Sequence, residues 1–125
     1  MEIINPVKID IQTEYMPSQS SPREQRYAFA YTITITNQGE QPVQLLSRHW
    51  VITDGNNQVQ EVRGEGVVGE QPVIEPGTSY RYTSGAVLDT AVGSMEGSYQ
   101  MVNDAGEHFE APIPPFGLTL PAALH

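Results

Sequence analysis

The chain has 125 residues, no cysteine, and six basic against fifteen acidic residues, a formal net charge of −9. That length fits one domain, residues 1–125, able to bury a core without staples, and the missing cysteines exclude disulfides and thiolate metal sites. With Lys8 its one lysine, the surface repels nucleic acid and anionic lipid, whose phosphates need clustered Lys and Arg.

The opening MEIINPVKID carries neither the basic n-region nor the apolar h-region of a signal peptide. No apolar run approaches the ~18 residues of a membrane span. A cytoplasmic protein, not embedded in a membrane, is the expectation.

In chain order, Val7 to Tyr15 alternates without error, with Val7, Ile9, Ile11, Thr13 and Tyr15 on one side and Lys8, Asp10, Gln12 and Glu14 on the other. Period two with one polar face predicts a half-buried strand. MPSQSSPRE, residues 16–24, reads as a polar loop. Gln25 to Asn37 predicts a central strand, because its heavy face holds Tyr27, Phe29, Tyr31, Ile33 and Ile35.

Asn37 to Glu40 turns the chain into a third strand, Val43 to Thr53. Adjacent Leu45 and Leu46 break its alternation, which calls for a bulge or for cover on both faces. Asp54-Gly55-Asn56-Asn57 supplies the residues a hairpin turn needs, with a short return strand at Gln58 to Val62. Arg63 to Pro72, RGEGVVGEQP, is then an ordered crossing, and Ile74 to Gly77 a turn.

Thr78 to Thr83 alternates as a strand, and Ser84 to Gly93 reads as small, polar and irregular. Met95 to Val102 and Glu107 to Ile113 form a hairpin about Asn103-Asp104-Ala105-Gly106, a type I turn closed by a glycine bulge. Prolines at 112, 114 and 115 confine the last strand to an edge. Residues 114–125 are expected to form a loosely packed tail. Seven to eight short strands with no helical period predict an all-β sandwich or barrel. Trp50 against the heavy face of Gln25 to Asn37 favours an immunoglobulin-like sandwich by analogy.

Gly64, Gly66 and Gly69 formally match G-x-G-x-x-G. A dinucleotide loop of that spacing needs a helix N-terminus aimed at the phosphate. Val67, Val68, Pro72 and Pro76 forbid that helix, and Glu65 and Glu70 would repel the ligand. The plain reading is a loop whose glycines supply positive φ and tight backbone approach; an anion nest is a second, with the loop amides and Arg63, with Arg48 beside it, holding a phosphate or a carboxylate. For a metal, Glu107, His108 and Glu110 near Asp104 form a weak divalent-ion candidate. No nucleophile motif accompanies His49 or His108, so no catalytic residue and no cofactor are assigned.

Leu45 to Gly77 (LLSRHWVITDGNNQVQEVRGEGVVGEQPVIEPG), Tyr82 to Gly85 (YTSG), Ser94 to Val102 (SMEGSYQMV) and Ile113 to Leu118 (IPPFGL) together resemble the bacterial ApaG family over nearly the whole chain. One departure is Ala86-Val87, where the family pattern has a cysteine and a proline. The resemblance implies a fibronectin type III-like, immunoglobulin-like β-sandwich. It also implies a label of cobalt and magnesium efflux association, genes beside a diadenosine tetraphosphate hydrolase, and related domains in eukaryotic F-box proteins and a DNA polymerase-interacting protein.

Two functional expectations follow. The first is a non-catalytic module for protein–protein recognition, indirectly tied to efflux. Its surface would be Arg48, His49, Arg63 and the Gly64, Gly66, Gly69 loop, plus Thr83 to Gly93, because rigid sandwiches carry recognition on loops. The second is a small-ligand binder, with a divalent cation at the acidic face or a phosphate or nucleotide at the glycine loop. A protein partner is expected, and the chain is a monomer or a homodimer.

Overall fold

The computed structural model describes residues 5–121, through which eight strands run: β1 (Val7–Tyr15), β2 (Tyr27–Asn37), β3 (Val43–Asp54), β4 (Val59–Glu65), β5 (Val73–Ile74), β6 (Ser79–Leu88), β7 (Val92–Asn103) and β8 (His108–Thr119). They build two antiparallel sheets. One has the order β1-β2-β6; the other has β4-β3-β7-β8, with β5 pairing the start of β3 on the edge that β4 continues. The fold is the all-β sandwich that the alternation predicts.

The core lies between the sheets. Phe29, Tyr31, Ile33 and Ile35 of β2 meet Leu45 and Trp50 of β3, Met95, Tyr99 and Met101 of β7, and Ile113 and Leu118 of β8. Trp50 sits at the centre, with ring centroids 5.5 Å from Tyr31, 5.9 Å from Phe116 and 6.4 Å from Tyr99, all edge-on, the arrangement aromatic quadrupoles favour. The register of β3 against β7 slips between Leu45 and Ser47, so the paired leucines do mark a bulge.

The polar turns have their predicted chemistry. Gly106 takes φ +81° and donates to the Asn103 carbonyl at 3.0 Å. Asn57 supplies the left-handed residue of the β3–β4 turn, at φ +62°. Residues 17–19 and 22–24 are short 3-10 turns within the predicted loop.

Several boundaries differ from the sequence reading, β5 standing where Ile74 was expected to open a turn and β7 starting at Val92 rather than Met95. β4 continues to Glu65, so the crossing spans residues 66–72. β6 continues through the supposed irregular stretch, because Ser84, Gly85 and Ala86 keep register with Tyr31, Ala30 and Phe29. The tail expected from residue 114 is instead the end of β8 as far as Thr119, where Leu118 is fully buried. Pro114 and Pro115 are tolerated because they lie together opposite Glu96, where the β7–β8 register slips and no ladder bond is demanded of them. Residues 122–125 of that tail lie outside the described residues.

β1 packs against β8 and covers one side of the sandwich. On the other side the sheets end in β6 and β4, each with one edge unpaired among the described residues. That open side positions the candidate site.

Candidate functional site

The glycine stretch is built in steps from β4. At Glu65 the chain leaves the edge of β3, and the Gly66 amide donates to the carbonyl of Leu46, the bulge residue, at 2.8 Å. Gly66 has φ +62°, and a Cβ there would lie 2.1 Å from the Glu70 carbonyl oxygen. Only glycine satisfies both conditions.

Val67 and Glu70 then exchange two backbone hydrogen bonds, at 2.8 and 2.9 Å, about a two-residue turn. Its central residues, Val68 and Gly69, have φ +49° and +79°, the signs of a type I′ turn. Val67 is 1% exposed and anchors the loop in the core, whereas Val68 is 63% exposed. A β-branched residue in the left-handed region is a strained position.

Arg48 holds this loop. One guanidinium nitrogen, Nη1, donates to the carbonyls of Glu65 (3.1 Å) and Gly66 (2.9 Å). The group lies over Gly64, where a Cβ would come within 2.8 Å of it. The three glycines thus serve Arg48, the turn and the hairpin in order. Two amides counted toward an anion nest, those of Gly66 and Val67, are bonded to Leu46 and within the loop.

Beside the loop, the open side of the sandwich is concave. One hollow of about 300 Å³ lies between Val62 and Ala86 over Trp50. A second, of about 250 Å³, shares Tyr31, Arg48, Trp50 and Ser84 with it and reaches Val68. A third, of about 180 Å³, shares Ile52, Gln60 and Val87 and ends at Asp54 and Asp89. The three make one groove between β6 and β4. It exists because the positions of β6 that follow Tyr80 and Tyr82 inward are Ser84 and Ala86, too small to meet Ile52 and Val62 across the gap. Val59 and Val87 are exposed along the groove. Its charges are Glu65 at the loop end, Asp54 and Asp89 at the other, and Arg48 between them.

The expected recognition residues therefore separate. Arg48, Gly64, Gly66 and Gly69 belong to the groove and its loop. His49 and Arg63 pair with each other on neighbouring strands and alternate with the core-facing Trp50 and partly buried Val62, so they occupy the opposite, outer face. There Glu61 Oε1 lies 2.8 Å from His49 Nε2 and 3.9 Å from Arg63 Nη2. On the outer edge of β8, the Glu107 carboxylate accepts from Asn103 Nδ2 at 3.0 Å, and His108 and Glu110 are exposed. Among the described residues no three His, Asp or Glu side chains come close enough together to hold a metal ion.

Sequence reasoning missed a buried pair below the groove. The hydroxyls of Tyr82 on β6 and Tyr99 on β7 hydrogen-bond to each other and so tie the two sheets. Burial pushes both phenols well above the ordinary tyrosine range. The shared bond opposes that rise at Tyr82 and reinforces it at Tyr99. The alternation of Tyr80 and Tyr82 signals an inward face, but nothing local says which strand answers it.

These features define an all-β sandwich of two antiparallel sheets, covered along one side and grooved along the other, with a glycine hairpin at the mouth of the groove. A family model described as the ApaG domain matches residues 17–103. The Protein ApaG of Dechloromonas aromatica is 59% identical over 127 residues, covering all of both chains, and that of Pseudomonas aeruginosa is 61% identical over 119 residues, covering 95% of this chain and 94% of its own. The solved structure of the putative ApaA protein from Bordetella pertussis superposes with a TM-score of 0.90 at 50% identity, over 92% of this chain and 94% of that one. A further X-ray structure gives 0.92 at 54% identity, over 96% and 91%. The chain belongs to the ApaG family. Ala86 and Val87 fall on β6, in the wall of the groove.

Proposed function

We propose that this chain is a non-catalytic recognition module whose protein partner seats in the groove between β6 and β4 and against the Val68 hairpin. The observation that carries this reading is Val68. A valine held in the left-handed region costs ~1–2 kcal/mol relative to a residue at ease there, and this one is turned to solvent beside a groove floored by Tyr31 and Trp50 and edged by Arg48, Glu65 and Ser84. Strain of that kind persists where it serves a contact. Exposed apolar groups rimmed by polar ones are how interaction surfaces present themselves.

The names of the relatives carry no activity, and no nucleophile–base pair has been assigned. The link to cobalt and magnesium efflux that the family resemblance implies would run through the bound partner; no helix among the described residues is long and apolar enough to cross a membrane. The phosphate alternative has weaker support. The loop amides of Gly66, Val67 and Glu70 already have partners, and Arg48 already donates to loop carbonyls.

The test is cross-linked affinity capture from bacterial lysate, comparing the wild type with Ala86→Arg, which fills the groove, and Arg63→Glu, which alters the outer face. Proteins retained by Arg63→Glu and lost at least tenfold by Ala86→Arg support the reading. Retention by both variants overturns it.

A further inference from the structure

Among the described residues the sandwich has four sheet edges, and three of them are blunted. β1 presents Lys8, Asp10 and Glu14; β8 carries Pro112, Pro114, Pro115 and a register slip; β4 carries Glu61, Arg63 and Glu65. Charges, prolines and bulges are the devices that keep edges from pairing. β6 has none of them from Thr83 to Leu88. That segment holds no charge and no proline, and its register with β2 runs unbroken.

This bare edge borders the groove. An added strand beside it would turn alternate side chains into the hollow over Ile52, Val62 and Ala86. We propose that the edge of β6 takes up an extended segment of the partner by strand addition, and that the segment is apolar at alternate central positions and basic at both ends. Strand addition supplies affinity through the main chain and specificity through alternate side-chain pockets. The basic ends follow from the carboxylates that close the groove, Glu65 at one end and Asp54 and Asp89 at the other. From Tyr82 to Asp89 the edge accommodates about eight residues, roughly 23 Å from first to last at strand rise. A second copy of the chain is the poorer occupant, since each copy brings a net charge of −9.

The inference rests on the protein-recognition reading and is tested apart from it. The probe is the synthetic peptide Lys-Arg-Thr-Val-Thr-Val-Thr-Arg-Lys, titrated into ¹⁵N-labelled protein at low salt. Two controls accompany it, one with glutamates at the flanks and one with a central proline. The expected result is saturable shifts confined to Tyr82–Asp89, Gln60–Glu65 and Ile52–Asp54, with exchange of β6 amides slowed at least tenfold. Both controls should bind at least tenfold more weakly. Ala86→Arg should lose binding tenfold or more; should that variant fail to fold, Asp89→Asn with Glu65→Gln should weaken binding at least threefold and flatten its salt dependence.

Shifts centred elsewhere, equal binding of the glutamate-flanked peptide, or a dimer by sedimentation with protected β6 amides would each overturn the proposal. If the peptide fails while protein capture still depends on Ala86, recognition stands and strand addition falls. Capture that ignores Ala86 removes both.

Discussion

Val68 concentrates the tension in this molecule. Its side chain is 63% exposed, and its backbone would be easier as asparagine or glycine, the residues type I′ turns favour. Val68→Asn is therefore expected to stabilise the chain by about 1 kcal/mol in urea unfolding while reducing partner capture. A loss of stability would show that the valine packs against something not recognised. The neighbouring glycines make a sharper comparison. Gly69 has positive φ but open space around it, so Gly69→Ala should cost roughly 1–2 kcal/mol. Gly66 combines positive φ with a carbonyl 2.1 Å from any Cβ, so Gly66→Ala should cost clearly more, and equal losses would refute the close approach. A left-handed glycine was legible in the RGEGVVGEQP stretch. The left-handed valine was not, because a β-branched residue predicts the opposite backbone.

At the scale of elements, legibility followed where each strand finds its reason. β1 and β2 carry their alternation within themselves, and the Asn103–Gly106 hairpin carries its turn chemistry. β6 does not, because Ser84-Gly85-Ala86 has little strand propensity of its own, and what keeps it extended is pairing to β2 across more than fifty residues of sequence. β8 hid its last turn of strand behind two prolines that the Glu96 slip makes harmless.

Asn37 shows a similar dependence on distant partners. Fully buried, it donates through Nδ2 to the carbonyls of Gln41 and Ile74 at 2.7 and 3.0 Å and accepts from the Gly39 amide at 2.9 Å, joining the β2–β3 turn to β5. Asn37→Ala should cost about 2–4 kcal/mol by thermal or urea denaturation, since it strands groups that have lost their partners. The Tyr82–Tyr99 bond makes a prediction in pH. Unfolded tyrosines ionise near ~10, whereas the folded pair holds its protons to higher pH, so above ~10 the unfolded chain binds fewer protons and stability falls as pH rises. The double variant Tyr82→Phe, Tyr99→Phe should lessen that fall in denaturation curves between about pH 9 and 11. An unchanged slope would remove the pair from the account.

Across the whole molecule, a sandwich or barrel could be read from strand count and the absence of helical period, and Trp50 could be read as packing against the heavy face of β2. The groove could not. It is a property of two strands, β4 and β6, whose facing residues are unrelated in sequence, and of small residues that in isolation look like loop. For the same reason His49, next to Arg48 in sequence, and Arg63, next to Gly64, fall on the other face of their sheet.

The most direct test of a partner seated along this open side is site-specific photo-cross-linking in bacterial cells. A photoreactive amino acid would be placed in turn at Val68, at Val87 and at Thr34, which lies on β2 on the far face of its sheet. The account predicts discrete protein adducts from positions 68 and 87 and none from 34. Adducts from position 34 alone, or the same adducts from all three, would contradict it.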